Sequence, residues 1–167
     1  MILSKFHIPS LLNRRIFMQT ITATALVVVS TSVVAKRTPN ILFVCRFGSV
    51  KSPVAREYFR RRAAERGLVF SVKSRGITPE AHISESLLVS LKRDGIDQDR
   101  DGLHKLRHYD LRQADILVIF DTLPSGLKGK NLHDWTNTGS FNESFATEKP
   151  KLLLRIDALI DEIISMN

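Results

Sequence analysis

The residues best suited to chemistry fall within eight positions, Cys45 to Ser52, in the stretch "CRFGSVKS". Cys45 is the only cysteine in 167 residues, so it has no internal disulfide partner and no second thiol with which to hold zinc. The five histidines show no metal-ligand spacing. A thiol that closes a strand, followed by a tight turn and the first turn of a helix, sits among inward-pointing backbone N–H groups. Such a cradle binds anions and stabilises a thiolate, which makes the cysteine a nucleophile at neutral pH. Gly48 relieves the steric demands of the turn. Ser52 either donates a hydrogen bond to the sulfur, caps the helix, or does both. The bland alternative is a small buried cysteine before an ordinary helix start. It suits each residue taken singly and suits the combination poorly.

The flanking sequence supplies the elements such a site needs. Ile41 to Cys45 is a continuous apolar run, as expected of a central parallel strand buried on both faces. Ser52 as N-cap and Pro53 as the first helical residue predict a helix to about Arg66, stopped by Gly67. Val54, Ala55, Tyr58 and Phe59 mark its inner face, and Arg56, Glu57 and the "RRR" at 60–62 its solvated one. Val69 to Ser74 alternates as a second strand. Ile83, Leu87 and Leu91 fall at helical spacing ahead of Gly95. "ADILVIFD", 114–121, is the clearest strand, and "NLHDW", 131–135, a weaker one. Leu152, Ile156, Leu159, Ile160 and Ile163 predict a C-terminal helix over the sheet. The order β-α-β-α-β-β-α implies an α/β fold, a small doubly wound four-stranded parallel sheet flanked by helices, with the anion loop after the first strand.

Residues 1–35 have a different character. "NRR" precedes an apolar, threonine-rich run that ends in "VVA", and the segment carries no acid. This pattern predicts a signal peptide cleaved after Ala35, leaving residues 36–167 as the domain in the periplasm or outside the cell. "NRRIFMQ" resembles a twin-arginine export signal. A retained membrane anchor is the alternative, since spanning needs roughly 20 residues. The chain's net charge is +8, and removal of Lys5, Arg14 and Arg15 would leave it less basic but still positive. No aromatic interleaving or recognised motif suggests a nucleic-acid partner.

"ILFVCRFGSVKSPVAREYF" resembles the phosphate-binding loop of low-molecular-weight protein tyrosine phosphatases: Cys, five residues, Arg, Ser, then a helix. "SRG" at 74–76, "LKRDGID" at 91–97, "ADILVIFD" and "LHDW" at 132–135 are similar to later family segments in the same order, over about residues 40–165. The resemblance implies a metal-free, cofactor-free, two-step reaction on a phosphorylated protein or small aryl phosphate. Cys45 would attack phosphorus, and Asp134 would protonate the leaving phenol and then activate water. Arg46, Phe47, Gly48, Ser49, Val50, Lys51 and Ser52 would hold the phosphate oxygens through the loop amides and the basic residue.

Three departures from the family pattern shape the expectations. Lys51 stands where the family has arginine and offers a hydrated point charge instead of a planar fork. Phe47 takes the loop-glycine position and Gly48 the loop-asparagine position, so Phe47 is expected in a backbone conformation that suits glycine better. Trp135 replaces the proline after the acid, and either lines the mouth or packs in the core. Other roles stay open at this level. Arg46 either adds charge or faces solvent, Asp121 either braces the loop or starts a turn, and Asp134 has a plain solvated-carboxylate alternative. The runner-up functions are a weak or inactive oxyanion-binding relative and an arsenate reductase. With one cysteine, the latter would need an external thiol.

Overall fold

The structure, a computed structural model, describes residues 37–166. The expectations for residues 1–35, including the cleavage point, lie outside the described residues. Four parallel strands run in the order β2-β1-β3-β4: β1 (Asn40–Cys45), β2 (Ser71–Gly76), β3 (Ile116–Ile119) and β4 (Leu132–Asp134). The helices are α1 (Lys51–Glu65), α2 (Glu85–Arg93), α3 (His108–Gln113) and α4 (Phe141–Ser165). None of the described helices is long and apolar enough to cross a membrane.

β1 is the spine because both its faces are apolar. Ile41, Phe43 and Cys45 enter the larger core with Val54, Phe59, Ile156 and Ile160, whereas Leu42 and Val44 enter a second core with Leu111, Leu117 and Ile119. This alternation is the period-two pleat of a strand covered on both sides. The register sets Cys45 beside Gly76 and Val44 beside Ile119, and Ile119 lies beside Asp134. The carboxyl ends of all four strands therefore meet at one edge, where sites form in sheets of this kind.

Several expectations need correction. The first helix begins two residues early, at Lys51, with Val50 at the N-cap and no side-chain cap. Ser52 is not the cap, because its hydroxyl is committed to the cysteine sulfur. Arg56 and Glu57 are buried, not solvated, at 0% and 5% exposure. Arg56 lies one turn after Ser52, and its guanidinium reaches Ser74 Oγ (2.7 Å), the Gln98 carbonyl (2.8 Å) and Glu57 Oε1 (2.8 Å). Buried charge with this many partners is held, where an unpaired one would be costly. The "RRR" stripe is also engaged: Arg60 pairs with Glu57 and Asp101, Arg61 donates to the carbonyls of Asp94 and Gly95, and Arg62 pairs with Asp157. The second strand starts at Ser71, paired to Asn40, and Val69 lies outside it at 83% exposure. α3 has no counterpart in the sequence reading, since a six-residue helix with Asp110 and Leu111 as its buried residues shows no periodicity.

Candidate active site

The loop from Arg46 to Val50 joins β1 to α1 and wraps the Cys45 thiol, which is 4% exposed. The Gly48 N–H points at Sγ (3.2 Å), and Ser52 Oγ lies 3.1 Å from it while also approaching the Arg75 carbonyl at 3.4 Å. The amides of Phe47, Ser49, Val50, Lys51 and Ser52 find no hydrogen-bond acceptor among the described residues. Successive N–H groups left open at a helix start form an anion-binding concavity.

Two glycines make this turn possible. Gly48 has φ +74°, and a Cβ there would lie 2.7 Å from the Gly76 backbone. A Cβ on Gly76 would in turn lie 2.7 Å from the Phe47 carbonyl. The "SRG" at the end of β2 is thus the seat on which the loop rests. Phe47 does not have a positive φ, contrary to expectation, because Gly48 absorbs the strained conformation one residue later.

Above the thiol opens a cavity of about 220 Å³, lined by Cys45, Arg46, Phe47, Val50 and Lys51 of the loop, with His82, Asp121, Ser140, Phe141 and Asn142 around it. Asp121 braces the loop: its Oδ2 accepts the Arg46 N–H at 2.8 Å. The Arg46 side chain is exposed, with its guanidinium 5.5 Å from the Phe47 ring. Ser49 Oγ accepts the His82 N–H (3.1 Å), and the His82 ring packs on Phe47 at 5.1 Å. Asn142 clamps the same strap, donating to the His82 carbonyl (2.6 Å) and accepting the Ser84 N–H (2.9 Å). His82 and Asn142 carry no sequence signal, since both are brought in by contacts across 60 residues of chain.

Lys51 and Asp134 behave differently from the rest. Lys51 lines the cavity, but its ammonium donates to the Thr138 carbonyl at 2.8 Å, tying α1 to the segment between β4 and α4. Arg155 donates to Thr138 Oγ1 (2.9 Å) and Glu148 accepts the Gly139 N–H (3.0 Å), so that segment is held from three sides. Asp134 lies at the same edge of the sheet but is exposed and absent from the cavity wall. Its Oδ1 accepts both the hydroxyl (2.6 Å) and the N–H (2.9 Å) of Thr136. These bonds, the hydroxyl's first, hold the carboxyl below its ordinary pKa, the reverse of what a proton donor needs. Trp135 is in the core, against Phe43 and Phe120, rather than at the mouth. The described residues hold no group of three or more His, Cys, Asp or Glu side chains arranged for a metal.

A parallel α/β sheet with a lone thiol in an amide-lined loop defines a class of anion-handling cysteine proteins. The profile of the low molecular weight phosphotyrosine protein phosphatase family matches residues 40–127, and the chain belongs to that family. Among solved structures it is similar to YfkJ from Bacillus subtilis, with 19% identity and a TM-score of 0.66 over 80% of this chain and 99% of that one. It is also similar to a thioredoxin-dependent arsenate reductase of Corynebacterium glutamicum, with 23% identity and a TM-score of 0.64 over 80% and 66% of the two chains. A low molecular weight protein tyrosine phosphatase from T. tengcongensis matches with 24% identity and a TM-score of 0.57 over 75% and 99%. At these identities the likenesses speak for the fold. No curated protein matches the sequence.

Proposed function

We propose that this chain is an exported cysteine-dependent phosphatase that hydrolyses phosphotyrosine or a related aryl phosphate through a phosphocysteine. One observation carries the reading: Cys45 Sγ lies beneath open loop amides, with the Gly48 N–H and Ser52 Oγ directed at the sulfur. In the first step the thiolate forms an S–P bond as the P–O bond to the aryl group breaks, and the departing oxygen takes a proton. In the second, water attacks phosphorus, the S–P bond breaks, and thiolate and inorganic phosphate are released. The loop amides stabilise charge on the equatorial oxygens in both steps. Asp121 is the carboxylate at the cavity wall, and we assign it the proton transfers ahead of Asp134. Export rests on the twin-arginine-like N-terminal segment and "VVA". Fractionation with N-terminal sequencing is expected to find a periplasmic chain beginning near Lys36.

The Lys51 contact favours a second reading. An ammonium already bonded to Thr138 is a weaker oxyanion clamp than a free fork, which suits a slow enzyme or an oxyanion binder. Hydrolysis of para-nitrophenyl phosphate, with Cys45→Ser as control, separates the two. Turnover lost in the variant supports the phosphatase. Equal, negligible rates with retained phosphate binding support the binder.

A further inference from the structure

Basic side chains at two places on this protein are held differently. On α1 and at its C-cap every basic side chain is engaged: Arg56, Arg60, Arg62 and Arg66 pair with carboxylates, and Lys51 and Arg61 donate to backbone carbonyls. On the opposite face of the sheet, α3 and the segment between β3 and β4 enclose a groove of about 440 Å³. His108, Arg112, Lys128 and Lys130 line it, with Leu111, Gly126 and Gly129, and no acid does. All four basic side chains are exposed, and none has an ion pair or side-chain hydrogen bond among the described residues.

The groove has a fixed frame. His108 and Arg112 are one helical turn apart and share a face of α3. Lys128 and Lys130 flank Gly129, which lies so close to the sheet that a Cβ would meet Leu117 Cδ2 at 2.3 Å. Leu123 and Leu127 pack into the core beneath, and Asn131 donates to the Asp115 carbonyl at 2.8 Å. The loop is therefore seated by its apolar and glycine residues, and the lysines project from a held backbone. Gly126, by contrast, has open space where a side chain would stand, which leaves the backbone accessible along the groove.

Several like charges around one groove repel one another, and an anion laid between them removes that penalty. We infer that this groove docks an acidic segment of a partner protein. The exposed heads favour recognition that tolerates varied geometry, as clustered carboxylates on an extended chain require. A small anion held specifically would instead call for buried, preoriented donors. The groove shares no lining residue with the Cys45 cavity, so the inference stands apart from the phosphatase reading.

Fluorescence anisotropy of a labelled poly-glutamate peptide with the full chain tests it, alongside vesicles containing phosphatidylglycerol. The wild type is expected to bind the peptide, more weakly as salt rises. The triple variant Arg112→Glu, Lys128→Glu, Lys130→Glu should lose at least about tenfold in affinity. A control with the same charge change elsewhere, Lys73→Glu, Lys92→Glu, Arg93→Glu, should lose less than about threefold. Circular dichroism verifies folding, and the corresponding Gln variants replace any chain that fails it. Absence of peptide binding, equal losses in both triples, or groove-dependent binding of vesicles without binding of peptide would each overturn the inference.

Discussion

The loop between β1 and α1 and the segment between β4 and α4 meet at the same sheet edge but are held differently. In the first, neighbours in sequence supply the cradle: strand end, Gly48 turn and helix start place the amides around Cys45, and Gly76 and Asp121 hold that backbone from outside. The second is held by distant side chains, Lys51 from α1 and Arg155 and Glu148 from α4. A cradle made of backbone persists through side-chain change, whereas a segment pinned by side chains moves when its pins change. Asp134 ends β4 just before that pinned segment, and its bonds to Thr136 keep it in its own turn, away from the cavity wall.

Cys45→Ser has the largest expected effect. Removing the nucleophile is expected to lower kcat on para-nitrophenyl phosphate by on the order of 10⁴-fold or more, with the fold retained. Gly48→Ala attacks the backbone frame itself. It combines a left-handed φ with a 2.7 Å approach to Gly76, and chemical denaturation should show a loss of about 3 kcal/mol.

The two carboxylates at this edge are expected to respond very differently. Asp121→Asn should lower kcat about 100-fold and Asp134→Asn less than threefold, read from steady-state rates. The reverse order would mean that the β4–α4 segment delivers Asp134 during turnover.

Lys51→Arg is expected to raise kcat roughly tenfold while phosphate affinity changes less, because the fork acts most on the transition state. A loss of activity would show that the lysine is needed as the pin on Thr138. The smallest effect is expected from Thr136→Val, which removes the hydroxyl that depresses Asp134. NMR titration should show that carboxyl rising toward its ordinary value. A depressed folded value stabilises the protein above the unfolded value, and this is lost as pH falls through the folded one. The variant should therefore be slightly less stable at neutral pH and unchanged in strong acid, with activity unaltered.

Much of this was legible before any fold was known. The apolar run of β1, the glycine and serine around Cys45 and the periodicity of α4 each encode local geometry, and local geometry is what spacing reports. "SRG" was legible as well, although its use, a glycine seat for the loop, appears only when β2 lies beside β1. The burial of Arg56 is not legible, because periodicity sorts residues by polarity, and a buried arginine with four partners looks like a solvated one. α3 was too short to leave a periodic trace.

The sequence alone determined the parallel α/β class, the thiol in its amide cradle and the membership in a phosphatase family that those residues foreshadow. The strand, turn and helix start that flank Cys45 are each encoded by residues within a few positions, so spacing sufficed for them. The tertiary structure alone decided which groups face the thiol. It brought His82, Asp121 and Asn142 to the cavity, turned Lys51 onto Thr138, buried Trp135 and left Asp134 bonded to its own turn. Those outcomes depend on packing between segments far apart in the chain, where small differences in side-chain contact choose among arrangements that local sequence leaves equal.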